Sequence, residues 1–224
     1  MIKKNVFGWA SLTGLLLIAI SAWMMIVSRS ASMYAIWLPH GFRTPILALE
    51  FASSNAEIAK MLESFSPELI QSLRLSTQID MLFLLVYNLF LIFVINSIYR
   101  ITGLQQYKWL SLLPLLILLA DAMENMQLFY ALDGMEVNMH VLKISTWVKW
   151  IGLSIAFIAI GRFLITTDRY YDRILALSTF ATLPIGIWAM FSHSGVNEVF
   201  AMLFYLLFPM TILYTWFSGI RKAI

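Results

Sequence analysis

The sequence predicts an all-α integral membrane bundle of six transmembrane helices, with a short amphipathic helical cap between helices 1 and 2. The chain is 61% hydrophobic and 12% charged, whereas an average soluble domain is roughly 45–50% apolar and about 25% charged. Its mean hydropathy is +0.82. The apolar runs are continuous and do not alternate with polar residues, which favours helices over the strands of a membrane barrel.

Six apolar runs are long enough to cross about 30 Å of hydrocarbon at about 1.5 Å per residue. They cover residues 7–27, 81–99, 109–132, 145–165, 174–192 and 198–218. The first run is longer than the core of a usual signal peptide, so we expect it to be retained as a span. No remaining stretch is long enough for a separate soluble core, and residues 1–224 are therefore expected to form a single polytopic membrane domain.

The long segment between the first two spans, residues 28–80, is predicted to be a helical loop on the outer face. Three helix-start signals lie in it: Thr44-Pro45, Ser54 with Glu57, and Ser66-Pro67-Glu68. These signals are a threonine N-cap followed by proline, a capping box, and a serine N-cap followed by proline. We expect two or three short amphipathic helices that cover the bundle, either as a fixed lid or as a gate over a ligand.

The positions of the charges predict the orientation of the bundle. If the N-terminus is cytoplasmic, the inner segments carry nine cations against two acids: Lys3, Lys4, Arg100, Lys108, Arg162, Arg169, Arg173, Arg221 and Lys222 against Asp168 and Asp172. This excess of cations is typical of cytoplasmic loops. Both termini are therefore expected in the cytoplasm, with the chain in the cytoplasmic (inner) membrane. Topology explains the basic residues, so no nucleic-acid partner is expected.

The third span carries polar residues where lipid-facing hydrocarbon would be expected. Asp121, Glu124 and Asn125 lie three and four residues apart and share one helical face. Each central acid costs about 2.5–3.5 kcal/mol for insertion into a bilayer. The span therefore needs polar partners, a wet cavity or protons on its carboxyl groups.

Candidate partners come from the second span, the cap and the fourth span. Asp80, Tyr87 and Asn88 follow one face of the second span, Glu50 lies in an apolar helix of the cap, and Lys149 lies in the fourth span. Helical side chains lean towards their own N-terminus, so we expect Lys149 to snorkel outwards, away from the acids of the third span. These residues predict a polar ligand site between the second and third spans, although such groups also serve simply as hydrogen bonds between helices.

Thiol chemistry is excluded, and the sequence predicts no metal site. The chain has no cysteine, which rules out thiolate ligands, disulfides and thiol catalysis. The three histidines, His40, His140 and His193, all fall on the predicted outer side and would be the candidate zinc ligands. No two of them have the short spacing of a zinc motif. No nucleotide motif is present, and the sequence leaves any cofactor unknown.

The layout resembles that of the rhomboid intramembrane serine proteases, which also have six core spans and a long first outer loop. Gly152 and Ser154 match two residues of that family's G-x-S-G motif. The sixth span, however, contains no histidine to activate the serine. We therefore reject a protease and expect Ser154 to be a packing residue.

The polar residues favour binding or transport over other functions. A small cation, a proton-coupled solute or a lipid headgroup would bind at the carboxylates. The alternatives are a membrane-embedded, lipid-modifying enzyme, with or without a metal, and a structural or assembly subunit of a membrane complex. Ligand identity, enzymatic activity and oligomeric state stay open at the level of sequence.

Overall fold

The computed structural model describes residues 6–28, 36–167 and 169–220. Within these residues the chain is helical without any strand, and six helices are long and apolar enough to cross a membrane. The predicted fold class is confirmed. The helices are α1 (Gly8–Ser28), α2 (Pro45–Glu50), α3 (Asn55–Ser64), α4 (Pro67–Thr102), α5 (Gln105–Leu110), α6 (Leu113–Leu132), α7 (Met139–Leu164), α8 (Tyr170–Phe191) and α9 (Gly195–Ile220).

The spanning helices form a closed ring. Consecutive spans (α1, α4, α5 with α6, α7, α8 and α9) pack side by side, and α9 packs against α1. Helices α4 and α7 also contact each other across the bundle. At Gly152 of α7 the side chain of Ile117 from α6 packs so closely that a Cβ atom would lie 2.6 Å from Ile117 Cγ1.

Four phenylalanines fill the interior of the bundle between α4, α7 and α9. We call them the aromatic layer: Phe90, Phe157, Phe204 and Phe208. The Phe157 ring is central, with its centroid 5.0 Å from that of Phe208 and 5.7 Å from that of Phe204. The Phe157–Phe208 pair is edge-to-face, an arrangement that adds to the free energy gained from burying the rings.

Two of the predicted short helices are present as α2 and α3, which form the cap. Ser54 accepts a hydrogen bond from the backbone of Glu57, as expected for the start of α3. The expectation of a third short helix after Ser66 was wrong. Ser66 is the N-cap of α4, which then continues without interruption to Thr102. No glycine or proline follows Pro67 before Gly103, so nothing in the sequence ends the helix.

The cap is anchored to the start of α9. Glu198 is buried and accepts hydrogen bonds from the backbone of Arg43 at 2.6 Å and the hydroxyl of Thr44 at 2.6 Å. Next to this contact the chain crosses itself: Gly41 has φ +87°, and a Cβ there would lie 2.7 Å from the nitrogen of Gly195. We call this end of the bundle the cap end.

Candidate functional site

Lys149 lies inside the bundle and contacts three carboxyl groups. Its Nζ atom is 3.1 Å from Glu50 Oε2 and 3.4 Å from Asp121 Oδ1, and it donates a hydrogen bond to Glu124 Oε1. The side chain of Lys149 is buried, and that of Glu124 has no exposed surface. The acids come from two directions: Glu50 ends α2 in the cap, and Asp121 and Glu124 share one face of α6.

The prediction that Lys149 would snorkel away from these acids was wrong. The lysine does lie towards the cap end, but Glu50 descends from the cap and meets it there. Thr146, one turn earlier on α7, donates a hydrogen bond to the backbone carbonyl of Glu50 at 3.3 Å and so holds the end of α2 on α7. The close packing of α6 on α7 at Gly152 brings Glu124 within reach from the other side.

A second set of hydrogen bonds joins α4 to α6. The Tyr87 hydroxyl donates to Asp121 Oδ2 at 2.5 Å. The Asn125 amide donates to Asp80 Oδ2 at 2.7 Å. We call these residues together the Lys149 cluster: Glu50, Asp80, Tyr87, Asp121, Glu124, Asn125 and Lys149.

Asn88 is a predicted site residue that the structure leaves outside the Lys149 cluster. Its amide nitrogen donates to the carbonyl of Leu84 in its own helix at 2.8 Å. Successive residues of a helix are rotated by about 100° around its axis, because there are 3.6 per turn. Tyr87 faces α6, whereas the amide of its neighbour Asn88 donates within its own helix.

The Lys149 cluster contains more acid than base. Glu50, Asp80, Asp121 and Glu124 supply four carboxyl groups, and Lys149 is the one cation that the described residues place against them. Full ionisation would leave three uncompensated negative charges, which is costly because Asp121 and Glu124 are buried. Protons or a bound cation must therefore supply the balance. Glu124 Oε2 is available to accept a proton or a cation, because this oxygen is buried without a hydrogen-bond partner among the described residues.

A cavity of about 220 Å³ leads from the surface at the cap end to Glu50. It lies between the end of α2, the first turns of α7 and the connection from α8 to α9. Its lining residues are Glu50, Phe51, Ala52, Ser53, Lys143, Thr146, Trp147, Met190, Phe191, Ser192, His193 and Asn197. This place differs from the predicted one, because between α4 and α6 the polar groups bond directly to one another. Among these residues the sequence had identified Glu50 as a candidate for the ligand site and His193 as a candidate zinc ligand.

The aromatic layer lies on the other side of the Lys149 cluster. The Tyr87 ring contacts Phe208, with centroids 5.6 Å apart, and Phe208 in turn contacts Phe90 at 6.3 Å. Tyr87 thus joins the polar cluster to the apolar interior. In this conformation the Lys149 cluster connects with the cap end through Glu50 and is closed by rings towards the opposite end.

The histidines do not join the acids of the Lys149 cluster. His40 and His140 are exposed, and His193 Nε2 lies 2.7 Å from Glu57 Oε1 in the cap. Burial opposes ionisation of Glu57, but hydrogen bonds from His193 and Ser53 outweigh it and hold the pKa of Glu57 below its usual value of 4.5. Within the described part of the chain, no three His, Cys, Asp or Glu residues are grouped so that they could hold a metal ion.

Comparison with protein-family models, with curated proteins and with solved structures finds no match for this chain. The geometry of the site is therefore the basis for a functional proposal. The serine considered above for a protease, Ser154, donates its hydroxyl to the carbonyl of Trp150 at 2.9 Å, as serines commonly do within helices.

Proposed function

We propose that this chain is a transport protein whose Lys149 cluster takes up a proton from the cap side together with a small solute. The observation that carries the proposal is that Glu50 belongs both to the cavity and to the Lys149 cluster. This residue lines the cavity at the cap end and also bonds to Lys149, which contacts both acids of α6. A solute in the cavity and a proton on the inner acids would therefore be coupled through one salt-bridge network.

The excess of carboxyl groups supports a proton as the coupling ion. Ionisable residues within membrane spans commonly form proton relays or ion pathways. Asp121 accepts a hydrogen bond from Tyr87, and Asp80 accepts one from Asn125. Each of these two carboxyl groups therefore already has a hydrogen-bond donor. Glu124 has one oxygen without such a donor. Glu124 is the residue to which we assign the exchangeable proton.

The distribution of cations supports an outward-facing cap. In the sequence, the segments that flank the spans on the side opposite the cap loop carry the excess of lysine and arginine, which favours the cytoplasmic side. On this basis the cavity opens to the outside of the cytoplasmic membrane, and both termini are cytoplasmic. A reporter fused after residue 224 should give a cytoplasmic signal, and a signal from the outer side would contradict this orientation.

Infrared difference spectroscopy during a pH change tests the assignment of the proton. Protonation of a buried carboxyl group gives a C=O stretching band that is distinct from that of water-exposed acids. We expect Glu124→Gln to remove this band and abolish transport, while the protein stays folded and inserted. Glu63→Gln, a change at an exposed acid of the cap, should leave both unchanged. A Glu124→Gln variant that retains the band and full transport would end the proposal.

A structural role is the second candidate, because the groups of the Lys149 cluster largely bond to one another. Glu50 and Lys149 connect the cap to α6 and α7 as a clamp would. In that case Glu124→Gln would lower stability, or release a partner subunit, without altering any pH-dependent carboxyl band. The same infrared measurement therefore separates the two functions.

A further inference from the structure

The cavity at the cap end has an acidic residue at its inner wall and a lysine nearer its mouth. Glu50 is the buried carboxylate of the inner wall. Lys143 lines the same cavity, and its Nζ atom bonds to the backbone carbonyl of Ser53 at 2.8 Å. Among the described residues it has no carboxylate partner, in contrast to His193, which bonds to Glu57. The lining of the cavity thus includes one acidic and one basic residue.

The two charges lie at different depths along α7. Lys143 is in the second turn of this helix, which starts at the cap end with Met139, while Glu50 bonds to Lys149 six residues further in. At 1.5 Å per residue, these levels are about 9 Å apart along the helix axis. A solute that reaches both charges must therefore carry its own charges several bonds apart.

The wall between the charges is aromatic. Phe51 and Trp147 line the cavity with their ring centroids 5.7 Å apart, and Phe191 adds a largely exposed ring. Aromatic faces bind methylene groups by apolar contact and attract ammonium groups through their electron-rich faces. The protein already uses the second effect nearby, where Lys149 Nζ lies 4.7 Å from the centre of the Trp150 ring.

We infer that the cavity binds a small zwitterion, with its ammonium group at Glu50 and its anionic group at Lys143. This inference rests on the proposed function and names the class of its solute. The ammonium would share Glu50 with Lys149, and the anion would replace the contact between Lys143 and the carbonyl of Ser53. The size of the cavity, about 220 Å³, limits the ligand to a small molecule, because pockets for drug-sized ligands measure roughly 300–1,000 Å³.

Three probes of equal chain length separate the contributions of the two charges: 6-aminohexanoate, hexylamine and hexanoate. Their binding is measured by calorimetry on the full chain in lipid nanodiscs, with protein-free nanodiscs as the blank. We expect 6-aminohexanoate to bind about tenfold or more tightly than hexylamine, since a charge-assisted hydrogen bond contributes about that factor. Hexanoate should bind weakest, because its only charge cannot approach Glu50.

Variants of Lys143 test whether this residue binds the anionic group of the ligand. Lys143→Gln should remove the advantage of 6-aminohexanoate over hexylamine, and Lys143→Arg should keep it. Lys60→Gln, a matched change at a cap lysine that packs on Trp37, should alter neither affinity. Equal binding of 6-aminohexanoate and hexylamine to the unaltered protein, no binding of either, or a full advantage in Lys143→Gln would overturn the inference.

The failure of this inference can be told apart from the failure of the proposed function. If the infrared band of Glu124 is present while the probes show no zwitterion preference, only the solute class is wrong. If Glu124→Gln keeps the band and full transport, the proposed function is wrong, whatever the probes do.

Discussion

Replacing Lys149 by methionine tests whether the charge network holds the bundle together. Methionine keeps the length and apolar body of the lysine side chain but removes the ammonium group, so the change acts mainly on charge. It leaves Glu50, Asp121 and Glu124 without the cation that contacts them. Breaking a buried ion pair by removing one partner costs about 3–5 kcal/mol, because the other charge stays buried and uncompensated.

We therefore expect Lys149→Met to lower the free energy of unfolding by about 3–5 kcal/mol. The measurement is reversible unfolding by a denaturing detergent in mixed micelles. Lys143→Met is the matched control on the same helix: Lys143 is exposed and bonds to a backbone carbonyl, so its loss should stay within about 0.5 kcal/mol.

The double variant Lys149→Met with Glu124→Gln tests the cause of this destabilisation. If uncompensated charge is the cause, removing the acid as well should recover part of the loss, with a coupling of about 0.5–3 kcal/mol between the two sites. Strictly additive losses, or a Lys149→Met variant as stable as the unaltered protein, would show that the contacts of Lys149 do not carry the energy assigned to them.

Three further predictions concern the packing around the site. Glu198→Ala should loosen the cap by removing the acceptor of two part-buried hydrogen bonds before α2, at a cost of about 1–3 kcal/mol, and should expose residues 41–53 to protease; unchanged protection would refute the anchor. Gly152→Leu should separate α6 from α7 and lower the unfolding temperature, since even a Cβ would meet Ile117 at 2.6 Å; an unchanged temperature would contradict that close approach. The lowered pKa of Glu57 means that its contribution is present above the usual value of 4.5 and is lost as the pH falls through its lower folded-state value. The unaltered protein should thus be slightly more stable than Glu57→Gln at neutral pH, and the gap should close in acid; a gap independent of pH would count against the contact with His193.

The sequence predicts the spans well because the bilayer imposes a length requirement that single apolar runs satisfy. The observed spans agree with the predicted runs except where a helix extends into the cap end or bends. Helix α4 starts at Pro67, well before the apolar run that begins at Met81. The helix is continuous because no glycine or proline interrupts the sequence between these two residues. The third span is divided into α5 and α6 just before Pro114, a division that the continuous apolar run does not show.

The candidate site was only partly predictable, because local periodicity gives the face of a helix and not its neighbour. Asp121 and Glu124 were identified since their spacing places them on one face of an apolar span. The contact between Glu50 and Lys149 depends instead on how the cap lies on α7, which no local pattern encodes. Glu198 was missed as an anchor, although an acid in the first turn of a helix is a known favourable placement.

The position of the aromatic layer relative to the Lys149 cluster bears on how transport would proceed. In the present conformation Glu50 opens to the cap end, while Tyr87 rests on Phe208 and closes the other direction. If the proposed function holds, passage requires Phe208 to move. The residue after it, Pro209, lies inside α9 and removes the backbone hydrogen bond to the carbonyl of Tyr205. A helix bends most readily where such a bond is missing. The proline therefore lies directly beside the ring that would have to move, and on the proposed function this conformation is the one open towards the cap.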